Sequence, residues 1–234
     1  MVSPTSSSTA SNGLVKGVVF DFDGTLVDSY PLIEQAFAEV MRAHRLEETA
    51  RELFRRSRGL PLPEQMKRIS PELWEDLVHT YRTADAALGH AQVFPGIPSL
   101  IRRFKRTGLR LGVVSCKRHL LVDAELEATG LRSAFDVVVG FEDVTPTKPA
   151  PDPLLHAIGR LQLSRGNTLY VGDSMVDLET GRAAQVRTVL AAWGLAPELR
   201  DEFKDHPLWA TRPSDMLALV LPVPPNGNGH KRAA

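Results

Sequence analysis

A doubly wound α/β fold carrying a helical insertion is predicted by three patterns in the sequence. Short, largely apolar runs recur along the chain. They alternate with segments of helical periodicity. One stretch, 29–94, breaks the alternation with helical spacing alone. The first run is Val18-Val19-Phe20, followed by Leu111–Val114, Phe135–Val139, Leu169–Val171 and Thr188–Leu190. Continuous rather than alternating apolarity marks strands covered on both faces of a parallel sheet. Between them, 98–107 reads as a helix stopped by Gly108, with Arg102, Arg103, Lys105 and Arg106 near its end, and 118–129 as one stopped by Gly130.

Inside 29–94, Ile33, Phe37, Val40 and Met41 keep helical spacing, as do Trp74, Leu77, Val78 and Tyr81, while RGLPLP and SPE divide the stretch into short helices and no strand is read there. An insert placed directly after the first strand sits above the carboxyl edge of the sheet, where open α/β sheets bind ligands. It therefore reads as a lid. The expected organisation is a discontinuous core, 14–28 and 95–221, a helical cap at 29–94, and flexible tails at 1–13 and 222–234.

Composition narrows the function. With 28 basic and 28 acidic residues the formal charge is zero, which leaves no footprint for nucleic acid or an anionic membrane. No run approaches the length of a membrane span, and the start, MVSPTSSSTASNG, lacks the basic and apolar regions of a signal peptide. The single cysteine, Cys116, forms no intramolecular disulfide, so a cytoplasmic location is expected. Nothing in the sequence reports the oligomeric state.

The chemistry gathers at four strand ends. The first strand delivers Asp21 and Asp23, the second Ser115 with Cys116 and Lys117, the third a proline-rich loop holding Lys148, and the fourth Asp173 and Asp177. A parallel sheet brings these ends to one crevice. Carboxylates without nearby histidines suit a hard cation with oxygen ligands, Mg²⁺ before Zn²⁺. A lysine and a hydroxyl beside it suit an anionic substrate, most simply the phosphate of a small metabolite. One carboxylate is then placed to attack phosphorus and the other to protonate the leaving oxygen and activate water.

The segment DFDGTLVDS resembles the first motif of the haloacid dehalogenase-like (HAD) hydrolase superfamily, with Ser115 closing LGVVS, Lys148 in TKPAP and GDSMVD matching the other three in order. The helical insert, with VFPG, FDVVVGFEDV and YVGDS, is similar to members of the phosphoglycolate phosphatase type and to a related branch of inorganic pyrophosphatases. The resemblance implies a Rossmann-like core and a Mg²⁺-dependent phosphatase acting on a small phosphomonoester. In it Asp21 is the nucleophile and Asp23 the acid/base. Asp21, the Asp23 carbonyl and Asp173 hold the metal, with Asp177 close by. Lys148 and Ser115 hold the phosphoryl oxygens. Cys116 stands where the family often has Asn. Cys116, Thr25 and Arg58 complete the expected substrate contacts.

Other readings weigh less. Family mutases tend to carry Val where Thr25 stands, and a dehalogenase needs no Asp23. A silent binding protein on this fold is expected to lose one of Asp21, Asp23, Lys148 or Asp173, and all are present. An EF-hand loop starting at Asp21 would need Gly at Leu26 and Glu at Leu32. A cysteine phosphatase would need Arg at Val122. Lys117 and Arg118 read as a solvated helix start, Asp28 as a cap for the first insert helix, Trp74, Leu77 and Tyr81 as insert core, and His44, His79, His119 and His156 as without chemistry.

Overall fold

The computed structural model describes residues 14–195, 200, 201, 203 and 205–220; the two expected tails lie outside them. The chain runs β1 (Gly17–Phe20), β2 (Val27–Asp28), α1 (Tyr30–His44), α2 (Glu48–Arg56), α3 (Leu62–Ile69), α4 (Trp74–Leu88) and β3 (Gln92–Val93). It continues α5 (Ile97–Arg106), β4 (Arg110–Val114), α6 (His119–Ala128), β5 (Val137–Val139), α7 (Asp152–Arg160), β6 (Thr168–Gly172), α8 (Met175–Ala184), β7 (Arg187–Ala191), β8 (Trp209–Ala210) and α9 (Met216–Val220).

Six strands form one parallel sheet in the order β5-β4-β1-β6-β7-β8. Strand β1 lies at its centre, with Phe20 in register with Val113 on one side and Val171 on the other. The winding reverses there, because the chain first builds outward through β4 and β5 and then returns to β6. That reversal opens a crevice beyond the carboxyl ends of β1, β4 and β6. All four β1 residues are buried, which accounts for their unbroken apolarity.

Three details depart from expectation. The run read as a strand from Phe135 is extended only from Val137, because Arg132–Ala134 closes a 3-10 turn and the Asp136 carboxylate accepts the Leu111 N–H at 2.8 Å. The stretch read as strandless contains β3, which pairs antiparallel with β2 through Val27 and Val93. Asp28 lies in β2 and is exposed, and no side chain caps α1. Two-residue strands carry no periodicity to read; only the partner reveals them.

The insert has its own core. Phe37 stacks on Phe54 with ring centroids 4.0 Å apart, and Val40, Met66, Leu77 and Tyr81 close around them. Trp74 packs against this cluster from its rim. Burial of each such side chain is worth roughly 1.5–3 kcal/mol, so these short helices hold together by packing rather than by propensity. Two linkers, paired as β2 and β3, join the insert to the sheet. Among the described residues no helix is long and apolar enough to cross a membrane.

Candidate active site

Asp21 follows β1 directly, and its N–H continues the ladder to the Val171 carbonyl at 2.7 Å, so the sheet itself aims the side chain. The buried Lys148 ammonium donates to Asp21 Oδ1 and to Asp177 Oδ1, each at 2.8 Å, and to the Tyr170 hydroxyl at 3.2 Å. Burial opposes the charge on Lys148, yet Asp177 and Asp21 together hold its pKa well above the usual lysine value. Burial, then the charge of Asp177, pushes the Asp21 carboxyl well up.

Asp173 and Asp177 sit at the β6–α8 turn and have different partners. Asp173 accepts the Tyr30 hydroxyl at 2.6 Å and the Thr25 hydroxyl at 3.3 Å, and burial carries its pKa up to about 7. Asp177 closes a capping box with Ser174, its Oδ2 taking the Ser174 hydroxyl at 2.5 Å and N–H at 3.1 Å, while Tyr170 and Lys148 occupy Oδ1. The charge of Lys148, with those bonds, outweighs burial and keeps Asp177 below the usual carboxylate range. Gly24 turns the chain between Asp23 and Thr25 at φ 75°, and a Cβ there would run into the Asp173 carboxylate and the Tyr30 ring.

Ser115 follows β4 directly, buried, its hydroxyl accepting the Lys117 N–H at 3.0 Å. Asp21, Asp23, Ser115, Cys116, Lys148 and Arg58 all line one crevice between sheet and insert. The Arg58 guanidinium lies 3.8 Å over the Tyr30 ring. Burial pushes the Cys116 thiol up to about 12, so the sulfur is neutral. Thr25 is fully buried against Asp173, outside the crevice lining.

A family model for haloacid dehalogenase-like hydrolases matches residues 18–191, spanning every strand end just described. The chain belongs to that family. This hydrolase is 31% identical over 186 residues to the pyrophosphatase PpaX of Halalkalibacterium halodurans, covering 79% of this chain and 86% of the relative. It is 30% identical over 206 residues to the phosphoglycolate phosphatase of Aquifex aeolicus, covering 87% and 95%. Its fold superposes on CbbY from Rhodobacter sphaeroides, solved in complex with phosphate, with a TM-score of 0.71, 25% identity and coverage of 87% and 96%. It is an enzyme of the phosphatase type within the family.

The donor set of this HAD hydrolase fits a divalent cation. Asp21, Asp173 and Asp177 offer carboxylate oxygens within 4.8 Å of one another, all buried, and among the described residues Lys148 alone is hydrogen-bonded there as a counter-charge. Three buried carboxylates against one ammonium leave negative charge that a hard, oxygen-preferring ion neutralises. Asp177 already meets four protein donors, the Lys148 ammonium among them, whereas Asp173 meets two hydroxyls and Asp21 the lysine alone, so Asp21 and Asp173 are the better-placed ligands.

The reading of Lys117 as a solvated helix start is corrected. Its side chain is only 18% exposed and forms ion pairs with Glu125 and, at 3.5 Å, with Asp23. Helix α6 turns Glu125 inward, so burying the lysine leaves no unpaired cation. Arg118 does stay at the surface, half exposed and paired with Glu142. Tyr30 and Tyr170 went unread. The sequence signal for Tyr170 was its place in β6, two residues from the GDS turn. Tyr30 had none beyond opening α1.

Proposed function

We propose that this enzyme is a Mg²⁺-dependent phosphatase that hydrolyses a small phosphomonoester, with phosphoglycolate the first substrate to try, through an aspartyl phosphate on Asp21. The observation that carries the reading is the Asp21 carboxylate held at 2.8 Å by a buried lysine beside Asp173, lining a crevice shared with Ser115. Asp21 and Asp173 would hold the metal, together with the Asp23 carbonyl. When bound, the metal screens the phosphate from the carboxylate that attacks it.

The chain's own groups account for the rest. Lys148 restrains Asp21 in one orientation and, with the Ser115 hydroxyl, faces the phosphoryl oxygens, where charge develops in transfer. Asp23 protonates the leaving oxygen and then takes a proton from the water that releases phosphate. Asp177 touches no substrate; it aims Lys148. The insert, 29–94, serves as a cap over a core made of 14–28 and 95–221, and its closure excludes water from the transfer. Arg58, fixed against Tyr30, is placed for a second anionic group on the substrate.

A second reading, inorganic pyrophosphatase, is favoured by the name of the 31% identical relative and uses the same residues. Phosphate release from phosphoglycolate, pyrophosphate, sugar phosphates, nucleotides and p-nitrophenyl phosphate, with and without Mg²⁺, tests both. Metal-dependent release that disappears in Asp21→Asn is expected, and the best kcat/KM names the substrate. No release from folded, Mg²⁺-supplied enzyme would overturn the proposal.

A further inference from the structure

Each of the two aspartates after β1 has a lysine, and only one of those pairs has been given a role. Asp21 and Lys148 meet at 2.8 Å. Asp23 presents a carboxylate whose Oδ1 is shut off from solvent and accepts no hydrogen bond, with the Lys117 ammonium 3.5 Å away. The lysine is fixed from behind. Its ammonium pairs with Glu125 on α6 and lies over the Phe22 ring, 5.7 Å from the centroid. Its own N–H goes to Ser115 Oγ at 3.0 Å, while its carbonyl accepts the Phe141 N–H at 3.1 Å. One residue thus ties the hydroxyl after β4, the aspartate after β1 and a core helix together.

We propose that Lys117, braced by Glu125, is the positioning residue of Asp23: its charge sets where the Asp23 carboxyl stands relative to the leaving oxygen. The inference rests on the reading of Asp23 as the acid/base. The 3.5 Å separation suits this task. A carboxyl that first gives and then takes a proton has to reorient between two partners, and a lysine pulling from outside hydrogen-bond range confines it without capturing an oxygen. Glu125 keeps the lysine from closing that gap. Deleting Lys117 leaves Asp23 facing Glu125, with Asp85 of α4 nearby, and their repulsion drives Asp23 away from its place.

Positioning of an acid has a signature that general loss of structure lacks. Proton donation matters for an alkoxide leaving group and little for p-nitrophenolate, which departs readily without it. In kcat/KM, which ends at formation of the phosphoenzyme, Asp23→Asn is expected to lose about 10²–10⁴-fold on an alkyl phosphomonoester and far less on p-nitrophenyl phosphate. Lys117→Met is expected to lose about 30–100-fold on the alkyl ester and under about 3-fold on p-nitrophenyl phosphate, the scale set by a misplaced rather than missing group. Equal losses on both substrates, or none, in Lys117→Met while Asp23→Asn still discriminates would overturn the role of Lys117 alone. Lack of discrimination in Asp23→Asn itself would overturn the acid/base reading and the inference with it. Should Lys117→Met not fold, the double variant Lys117→Met with Glu125→Gln removes the unpaired charge and is judged by the same two ratios.

Discussion

The nucleophile side and the acid side of the crevice are built from the same parts, an aspartate after β1 and a lysine from another loop, yet packed to opposite ends of a scale. Around Asp21 every contact is short: Lys148, Asp177 and Tyr170 meet within 3.2 Å, and the side chains of Asp21, Lys148 and Asp177 are 8%, 1% and 0% exposed. Around Asp23 the lysine stands at 3.5 Å, and both partners keep about a fifth of their side-chain surface in the crevice. The contrast matches the chemistry assigned to each. A nucleophile gains from being held in one direction, whereas an acid that must become a base gains from partial freedom.

Breaking the tight side should cost most. Asp21→Asn is expected to lower kcat at least about 10⁴-fold with the fold intact, since an amide of the same shape keeps the contact to Lys148 but does not attack phosphorus. Retention of a tenth of the activity, measured in enzyme free of wild type, would reject Asp21 as the nucleophile. Next comes Lys148→Met, which strands two buried carboxylates. A loss of about 3–5 kcal/mol is expected in denaturant unfolding, along with activity. A change under about 1 kcal/mol would mean that the cluster is less dry than it looks.

The same charge excess predicts an inverted pH dependence for metal-free protein. Burial raises Asp173 to about 7, so the folded state holds a proton that the unfolded chain has released above about pH 4. Stability contributed here is therefore greatest below about pH 4 and falls as pH rises to 7, by up to about 4 kcal/mol. Asp21 pulls in the same direction, and the depressed Asp177 acts only below that window. Melting of EDTA-treated protein should thus drop between pH 5 and 7.5, and Mg²⁺ should raise Tm more at pH 7.5 than at pH 5. Equal Mg²⁺ shifts at both values would count against Asp21 and Asp173 as ligands.

The smallest effect sharpens the comparison. Thr25→Val keeps the shape and removes one hydrogen bond to Asp173, so about 1 kcal/mol of stability is expected to go while kcat/KM changes less than about 3-fold. A large rise in KM instead would show that Thr25 reaches substrate after all.

Much of this was legible in advance, for identifiable reasons. The unbroken apolarity of Val18–Phe20 has one comfortable home, the middle of a covered parallel sheet, and that alone puts Asp21 at a strand end. The helical spacing of Phe37, Leu77 and Tyr81 likewise announced the core of the insert. Periodicity reports which face a residue turns inward, so it finds strands and helices long enough to repeat. It says nothing of β3 or β8, two residues each, nor of which partner a polar side chain meets.

Those partners were decided by tertiary structure. Asp177 differs from Asp173 in its partners, because Lys148, 29 residues upstream, and Tyr170 meet at its Oδ1. Thr25 turns from the crevice to an aspartate 148 residues away. Lys117 is buried because helix α6 delivers Glu125 beneath it. The sequence by itself determined where backbone and apolar surface go, since burial follows from local pattern. Which donor each carboxylate meets waited for the fold, since those neighbours are brought by the chain from far away.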